Sequence, residues 1–385
     1  MNRTAIALAA LLASAIAGAA EPRARDLGVP FPGTPGPLNA ITDVAGVTVG
    51  QVTLIEDLTD GRKVRTGVTA IVPRGRQSLD TSVYAGWFAL NGNGEMTGTT
   101  YLDEAGLLDG PILLTNTHSV GVVRDAVIAW RVRVGQPDAS GYWWSLPVVA
   151  EVWDGDLNDI NGFHVRAEHV SRALDEARAG PVAEGNVGAG TGTQCHGFKC
   201  GIGTSSRRAR ASGGDYTVGV LVQANYGTRE KLRIAGVPVG KHLVANASGS
   251  EADPATTDNG SLIIVVATDA PLLPHQLKRV ARRAALGLAR MGSTADNGSG
   301  DIFVAFSTAN AQALAGAPLA QAATIGNDHL DALFAATVDA TEEAIVNAMV
   351  AARDMDGNGG HRATALPHGE LVRLLEQYGR PAGAR

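Results

Sequence analysis

Several motifs of catalytic and binding sites are missing from this sequence of 385 residues. It contains 9 histidines, but none has the H-E-x-x-H spacing or a similar ligand spacing. No G-x-S-x-G nucleophile elbow occurs, and no Gly-Lys-Ser/Thr completes a phosphate-binding loop. The glycine-rich stretch 185–192 is not followed by the strand, turn and helix of a dinucleotide site. We therefore predict no metal and no cofactor, and interpret the glycines as a loop that lets another backbone approach closely.

Basic clusters and long apolar runs are also scarce. Formal net charge is -6, from 38 acidic and 32 basic residues, and no basic block appears, which argues against a nucleic-acid partner. Only the N-terminus has the pattern of a secretory signal, with Arg3, an apolar stretch at 5–17 and small residues at 17–20. That stretch is short for a membrane anchor. We expect a signal peptide over 1–20, a mature chain from about Glu21, and a periplasmic or secreted protein without membrane attachment.

Cysteine is limited to Cys195 and Cys200. A typical zinc set would need a second pair of ligands, so a metal half-site is the weaker interpretation. In an exported protein the two residues could form a disulfide across a hairpin, or remain free thiols. Both of these alternatives stay open.

The remaining composition is typical of a globular protein, with 45% hydrophobic and 18% charged residues. Strand-like and helix-like segments alternate in blocks, without an internal repeat or a linker that would divide the chain. We therefore predict one α/β domain with a layered core. The main predicted helices are 118–134, 274–290 and 330–352, and the main predicted strands are 217–225, 237–245, 262–267 and 302–306.

The junction Asn259-Gly260-Ser261 lies between a small, polar loop and an unbroken apolar run. The run, 262–267, is rich in β-branched residues and predicts a strand buried on both faces. Asn-Gly is a common turn dipeptide, so the local sequence by itself favours a plain turn. If the chain were cut before Ser261, however, this serine would carry both a nucleophilic hydroxyl and a free amine to act as its base.

A second serine precedes the next apolar strand in the same way. The segment Asn297-Gly298-Ser299-Gly300-Asp301 leads into the predicted strand 302–306. Two neighbouring strands that each begin with serine could place their hydroxyl groups side by side. Asp301 should face the same side as Ser299, because side chains two residues apart share one face of a strand. Glu151 also follows an apolar run, where a carboxylate could be structural or could bind a cationic group.

Six segments together resemble the DmpA-type family, which contains the L-aminopeptidase/D-amidase/D-esterases and the β-aminopeptidases. The resemblance is collinear over about residues 27–375. The matching segments are Ile41-Thr42-Asp43-Val44, Pro147-Val148-Val149-Ala150-Glu151, Gly185-Asn186-Val187-Gly188-Ala189-Gly190-Thr191-Gly192, Gly201-Ile202-Gly203-Thr204-Ser205-Ser206-Arg207, Leu221-Val222-Gln223-Ala224-Asn225-Tyr226-Gly227, and Gly260-Ser261 with the run 262–272.

The resemblance implies a four-layer αββα sandwich, with the geometry of N-terminal-nucleophile hydrolases but a different connectivity. It also implies an inactive precursor that cleaves itself between Gly260 and Ser261. The two products would be an α chain, 21–260, and a β chain, 261–385, of one catalytic domain. Family members assemble into homo-oligomers of such α/β pairs.

The resemblance also implies roles for individual residues. Ser261 would be the nucleophile, and Ser299 and Asp301 match the family's second serine and the acid two residues after it. Some relatives carry Glu at the position of Asp301. Asn225 matches the oxyanion-hole asparagine, and Glu151 the acid that binds the substrate's free amine. A tyrosine used near the site in some members falls at Trp153, whose ring has no hydroxyl group.

The function implied is that of an exported serine aminopeptidase or amidase acting on small peptides and on amino acid amides or esters. Two alternatives remain. One is a self-cleaving acyltransferase of the ornithine acetyltransferase type, which uses threonine as its nucleophile and is typically not exported. The other is a periplasmic binding or scaffold protein that kept this fold without catalysis. L-α-amino acids, β-amino acids and D-amides or D-esters all lie within the family's range of substrates.

Overall fold

The structure is a computed structural model that describes residues 21–76, 79–137, 140–141, 144–245, 260–314 and 318–380. The predicted signal peptide, the polar loop before the junction, and Asn259 lie outside these residues. The strands are β1 (Thr48–Asp57), β2 (Lys63–Val72), β3 (Val83–Gly92), β4 (Leu107–Leu108), β5 (Ile112–Asn116), β6 (Val148–Val152), β7 (Gln194–Cys195), β8 (Phe198–Lys199), β9 (Ile202–Ala211), β10 (Gly214–Asn225), β11 (Ser261–Thr268), β12 (Gly300–Ser307), β13 (Met355–Asp356) and β14 (Arg362–Ala363).

Seven α-helices occur in the described ranges. They are α1 (Thr99–Ala105), α2 (Val120–Val134), α3 (Ala167–Asp175), α4 (Val239–Ala245), α5 (Pro274–Arg290), α6 (Asp331–Val350) and α7 (His368–Gln377). Within these same ranges, no helix combines the length and the apolarity that crossing a bilayer requires.

Two mixed β-sheets pack face to face at the centre of the fold. One has the strand order β1-β2-β5-β6, and the other has the order β4-β3-β12-β11-β10-β9. Helices α2 and α3 cover the outer face of the first sheet. Helices α5 and α6 cover the outer face of the second sheet. The layers therefore follow the predicted αββα order.

Strand β11 shows why an apolar run without alternation forms this centre. Residues 262, 264 and 266 pack towards the helices. Residues 263, 265 and 267 pack between the two sheets. Because successive side chains point to opposite faces of a strand, both faces must be apolar when both are covered.

The predicted strand at 237–245 is wrong, because Val239–Ala245 forms helix α4. Pro238 immediately precedes this helix, and the fixed φ angle of proline is compatible with a helix start. The buried side chains Val239 and Leu243 are four residues apart, which is helical spacing. The predicted helices around α2, α5 and α6 and the strands around β10, β11 and β12 are confirmed.

Close backbone contacts explain much of the glycine-rich stretch. A Cβ atom at Gly201 would lie 1.8 Å from the carbonyl oxygen of Gly185, and one at Gly190 would lie 2.3 Å from the backbone nitrogen of Ile202. The interpretation as a loop that admits another backbone is therefore confirmed.

The following hairpin, β7–β8, brings Cys195 and Cys200 together in a disulfide, which decides between the two alternatives for these cysteines.

The N-terminal arm is held against helix α6 by a buried ion cluster. The Glu343 carboxylate accepts hydrogen bonds from Arg25 Nε at 2.7 Å and Arg207 Nη2 at 2.6 Å. Burial alone would raise the pKa of Glu343, but the contacts with the two arginines outweigh it, and the pKa is lowered. The cluster ties the beginning of the chain to a helix close to its end.

A glycine in the six-stranded sheet gives a direct test of this packing. A Cβ atom at Gly203 in β9 would lie 1.9 Å from the carbonyl oxygen of Ala344 in α6. We expect Gly203→Ala to lower the free energy of unfolding by about 1–3 kcal/mol, because the strand and helix must move apart. The midpoint of chemical denaturation measures the effect.

The matched control is Gly369→Ala in α7, where a Cβ atom would meet no neighbour within 4 Å. This substitution should be neutral or stabilise the protein by about 0.4–1 kcal/mol. Equal midpoints for the two variants would contradict the packing described.

Candidate active site

Strand β10 ends, and strands β11 and β12 begin, at the same end of the six-stranded sheet. Ser261 is the first residue of β11, and its Cα pairs with that of Asn225, the last residue of antiparallel β10. On the other side, Ser261 pairs with Gly300, the first residue of parallel β12. Ser261 is buried, with 5% of its surface exposed. The register therefore places Ser261 between Asn225 and the segment that carries Ser299 and Asp301.

Ser299 and Asp301 share one face, as the sequence predicts. The Ser299 hydroxyl donates a hydrogen bond to Asp301 Oδ1 at 2.9 Å, and both residues are buried. Because a hydroxyl has one proton and two lone pairs, this bond leaves the Ser299 oxygen able to accept. The pair can therefore receive a hydrogen bond from a group above the strand ends.

The carbonyl group before Ser261 is also held in place. The backbone N–H of Gly300 donates to the Gly260 carbonyl oxygen at 3.0 Å. A Cβ atom at residue 260 would lie 2.0 Å from the carbonyl oxygen of Asn225. Glycine is thus the residue that fits between β10 and the start of β11. The predicted scissile bond lies at this position.

A single backbone hydrogen bond determines the orientation of Asn225. The N–H of Gln194 donates to Asn225 Oδ1 at 2.8 Å. An N–H group needs an acceptor, so the amide oxygen must face Gln194 and the NH2 group must face the other way. Asn225 therefore presents a hydrogen-bond donor rather than an acceptor at its free end.

Glu151 reaches the same region from the other sheet. It is the penultimate residue of β6 and is 3% exposed. Its Oε1 accepts from the backbone N–H of Glu95 at 2.8 Å, and its Oε2 accepts from the Thr117 hydroxyl. A Cβ atom at Gly94 would lie 3.2 Å from Glu151 Oε1 and 3.3 Å from the Cα of Gly300. The Glu151 carboxylate and the start of β12 therefore both lie close to Gly94.

Burial determines the electrostatics of Glu151. It raises the pKa of this carboxyl group, while the bonds from Thr117 and from the Glu95 backbone act in the opposite direction. The negative side chain of Glu95 raises this pKa further. The net effect is a pKa above the ordinary glutamate value, so a cation would stabilise the ionised form.

The end of β3 and the turn after it contact both the segment before Ser299 and Glu151. Asn91 Nδ2 donates to the Asp296 carbonyl at 2.7 Å, and Asn93 Nδ2 donates to the Gly298 carbonyl at 2.6 Å. The Asp296 carbonyl also accepts from the Ser299 N–H at 2.8 Å. The turn therefore holds the backbone that leads into Ser299, and its continuation holds Glu151.

Trp153 lies two residues after Glu151, and 38% of its surface is exposed. Its ring packs edge-on against His118, with ring centroids 5.9 Å apart. His118 in turn stacks on Phe163, at 6.1 Å, beside an open pocket of about 500 Å³. These rings form an aromatic surface near Glu151. The substrate-binding role of Trp153 stays a prediction.

Sequence reasoning missed four groups that hold the predicted site residues. Three are the backbone N–H groups of Glu95, Gln194 and Gly300, which have no side-chain signature. The fourth is Thr117, which follows β5, the parallel neighbour of β6. Its place after a buried strand next to that of Glu151 is a signal that could have identified it. In the described part of the chain, no three His, Cys, Asp or Glu residues converge as a metal site would require.

Residues 39–363 match Peptidase family S58. This chain belongs to that family. It is similar to the beta-peptidyl aminopeptidase BapA of Sphingosinicella microcystinivorans, with 55% identity over 98% of each chain. It is also similar to BapA of Sphingosinicella xenopeptidilytica, with 50% identity over 96% of this chain and 95% of that one.

Solved structures of two aminopeptidases have the same fold. The L-aminopeptidase D-Ala-esterase/amidase from Ochrobactrum anthropi has 48% identity and a TM-score of 0.86, covering 94% of this chain and 99% of that one. A β-aminopeptidase from Burkholderia sp. has 50% identity and a TM-score of 0.84, with the same coverage. The former is described as a variant of the Ntn hydrolase fold. The predicted family and fold class are therefore confirmed, and the protein is a serine peptidase of the aminopeptidase or amidase class.

A titration of the Glu151 carboxyl group, followed by the NMR signal of its side-chain carboxyl carbon, tests the electrostatics around it. The raised pKa means that the ionised form is lost, as pH falls, at a higher pH than for an ordinary glutamate. Glu95→Gln keeps the backbone bond but removes the nearby charge. We expect the titration midpoint of Glu151 to move to lower pH, and the shift to shrink in high salt.

The control is Glu376→Gln, at an exposed position in the last turn of α7. It removes the same charge at a position that does not act on Glu151, and it should leave the Glu151 midpoint where it is. A Glu151 midpoint that does not move in Glu95→Gln, or that moves to higher pH, would contradict the arrangement around Glu151.

Proposed function

We propose that this protein is an exported precursor that cleaves itself between Gly260 and Ser261, and that Ser261 then serves as the N-terminal nucleophile of a β-peptidyl aminopeptidase. The observation that carries the proposal is the register of β10, β11 and β12, which sets Ser261 between Asn225 and Gly300. The signal peptide would be 1–20, the α chain 21–260 and the β chain 261–385. The site would lie in the periplasm or outside the cell, in a homo-oligomer of α/β pairs.

Self-cleavage uses two consecutive residues, Gly260 and Ser261. The Ser261 Oγ attacks the carbonyl carbon of Gly260, the C–N bond breaks, and the acyl group moves from nitrogen to oxygen. The hydroxyl proton passes to the new amine, and water then hydrolyses the ester. The bond from the Gly300 N–H to the Gly260 carbonyl supports this step, since a donor on that oxygen stabilises the charge that develops there.

Hydrolysis of a substrate uses the amine that cleavage releases. An α-amine has a pKa of about 7.7–8.0, so a neutral fraction can take the Ser261 hydroxyl proton near neutral pH. The Ser299 hydroxyl donates to Asp301. Its oxygen accepts a hydrogen bond from the Ser261 groups that exchange the proton, and so orients them. The Asn225 NH2 donates to the tetrahedral oxyanion, and loss of one such donor typically costs about 10²–10³ in kcat. Water then releases the acyl group from Ser261.

Glu151 accounts for action at the N-terminus of the substrate. Its ionised carboxylate pairs with the substrate ammonium group, which a blocked or internal residue lacks. Glu151 belongs to the four-stranded sheet and Ser261 to the six-stranded sheet. The distance between amine and scissile carbonyl is therefore set by the packing of two sheets rather than by a flexible loop. Two relatives named beta-peptidyl aminopeptidases support a substrate with a β-amino acid at its N-terminus.

Denaturing electrophoresis with intact mass analysis tests self-cleavage. Purified wild-type protein should give two chains, with masses of residues from about 21 to 260 and from 261 to 385. Ser261→Ala should give one chain and no hydrolysis, because both reactions need its hydroxyl group. Ser307→Ala, a buried serine at the other end of β12, is the matched control and should be cut normally. An active wild-type protein that remains one chain would disprove the proposal.

A panel of aminoacyl p-nitroanilides tests the substrate class. We expect kcat/KM to be highest for β-alanyl, lower for L-alanyl and D-alanyl, and undetectable for N-acetylated compounds. Glu151→Gln should lower kcat/KM by about 30-fold or more, since truncating one partner of a buried charge pair costs at least about 2 kcal/mol. A preference for L-alanyl would refute the β-peptidyl assignment but leave the nucleophile untouched. Equal rates with acetylated substrates would refute the role of Glu151.

A further inference from the structure

The hairpin closed by the Cys195–Cys200 disulfide has no part in the reaction proposed above, yet it lies beside β10. Strands β7 and β8 pair Gln194 with Lys199 and Cys195 with Phe198. Cys195 also forms a parallel bridge to Tyr226, the residue after Asn225. The backbone N–H of His196 donates to the Tyr226 carbonyl at 2.7 Å. The hairpin thus runs alongside the end of β10.

One contact connects this hairpin directly to the site. Gln194, the first residue of β7, donates its N–H to Asn225 Oδ1 at 2.8 Å. A primary amide has a donor and an acceptor of nearly the same shape, and it can present either after a half turn. Only the NH2 face can stabilise an oxyanion, whereas the oxygen face would repel it. The hydrogen bond from the Gln194 N–H therefore fixes the amide orientation that the oxyanion role of Asn225 requires.

The base of the hairpin is anchored by a buried lysine. Lys199 Nζ donates to three backbone carbonyls, those of Gly190 at 3.2 Å, Thr193 at 2.9 Å and Cys200 at 2.5 Å. The Cys200 N–H also donates to the Thr193 carbonyl at 3.1 Å. Gln194 therefore lies between a fixed residue, Thr193, and the cysteine that the disulfide holds.

The disulfide is itself fully buried, because both cysteines are 0% exposed. It joins the residue after Gln194 to the residue after Lys199. Without it, the pair of two-residue strands, which has little stability by itself, would be held by hydrogen bonds, among them those of Lys199, Cys200 and His196. The covalent bond adds to these contacts and limits how far the Gln194 N–H can turn away from Asn225.

We propose that the Cys195–Cys200 hairpin is a positioning element for catalysis, which holds the Asn225 amide with its NH2 group towards the oxyanion. This inference rests on the proposed function of Asn225 and adds to it the group that sets its orientation. Cys195, Cys200 and Gln194 act through Asn225 and do not touch the substrate.

The test is the double variant Cys195→Ser/Cys200→Ser, with kcat and KM measured separately. An oxyanion contact is made in the transition state, so its loss lowers kcat and leaves KM nearly unchanged. We expect kcat to fall by about tenfold or more, up to the 10²–10³ typical of losing one donor entirely. An unchanged kcat, or a change confined to KM, would overturn the proposal.

A double-mutant cycle with Asn225→Ala separates positioning from general loss of stability. If the hairpin acts through Asn225, removing the disulfide in the Asn225→Ala background should leave the remaining kcat unchanged. A fall by the same factor in both backgrounds would show that the disulfide serves only the fold, and would overturn the proposal.

Mature wild-type protein treated with a phosphine reductant covers the case in which the double variant does not fold or is not cut. Alkylation and mass analysis identify the fraction with two free thiols, and the kcat of this fraction should fall as in the variant.

Failure of the proposed oxyanion role of Asn225 can be told apart from failure of the hairpin proposal. Full activity of Asn225→Ala would refute both the oxyanion role and the hairpin proposal. A low kcat for Asn225→Ala with an undiminished kcat after disulfide loss would refute the hairpin proposal alone.

Discussion

The parallel pairing of β11 with β12 is the constraint on which the candidate site depends. Both strands are buried on both faces, so a slip of one residue would turn every side chain to the wrong layer. The register is therefore determined by the packing of the whole core rather than by contacts at the strand ends. This register places Ser261 beside Gly300. It therefore also determines the positions of Ser299 and Asp301, which flank Gly300.

A second constraint joins the two sheets. The end of β3 and the turn that follows it contact the loop before Ser299 through the Asn91 and Asn93 side chains, and they contact Glu151 through the Glu95 N–H. The backbone N–H groups of Glu95, Gln194 and Gly300, which do not change rotamer, each hold one of the predicted site residues. An arrangement of this kind is preorganised, so little has to move when charge develops in a reaction.

The sequence predicts those parts of the structure that depend on local pattern. The apolar runs after Ser261 and Asp301 indicate buried strands, and the spacing of Ser299 and Asp301 indicates a shared face. Local pattern could not assign Val239–Ala245, where a short apolar segment fits a strand and a helix equally well. It could not show that Gln194 meets Asn225, because that contact joins distant segments through a backbone atom. The proposed role of Asn259-Gly260-Ser261 rests on the collinear resemblance over about residues 27–375.

The order of the six-stranded sheet has a consequence for how such a protein returns from the denatured state. If the chain is cut before Ser261, β11 and β12 belong to one polypeptide, and the strands on both sides of them belong to the other. The ion cluster at Glu343 also joins the two pieces. Folding of the intact precursor is a first-order process that does not depend on concentration. Recovery of the cut protein requires two chains to meet, so its yield depends on concentration, and unfolding in dilute solution becomes effectively one-way.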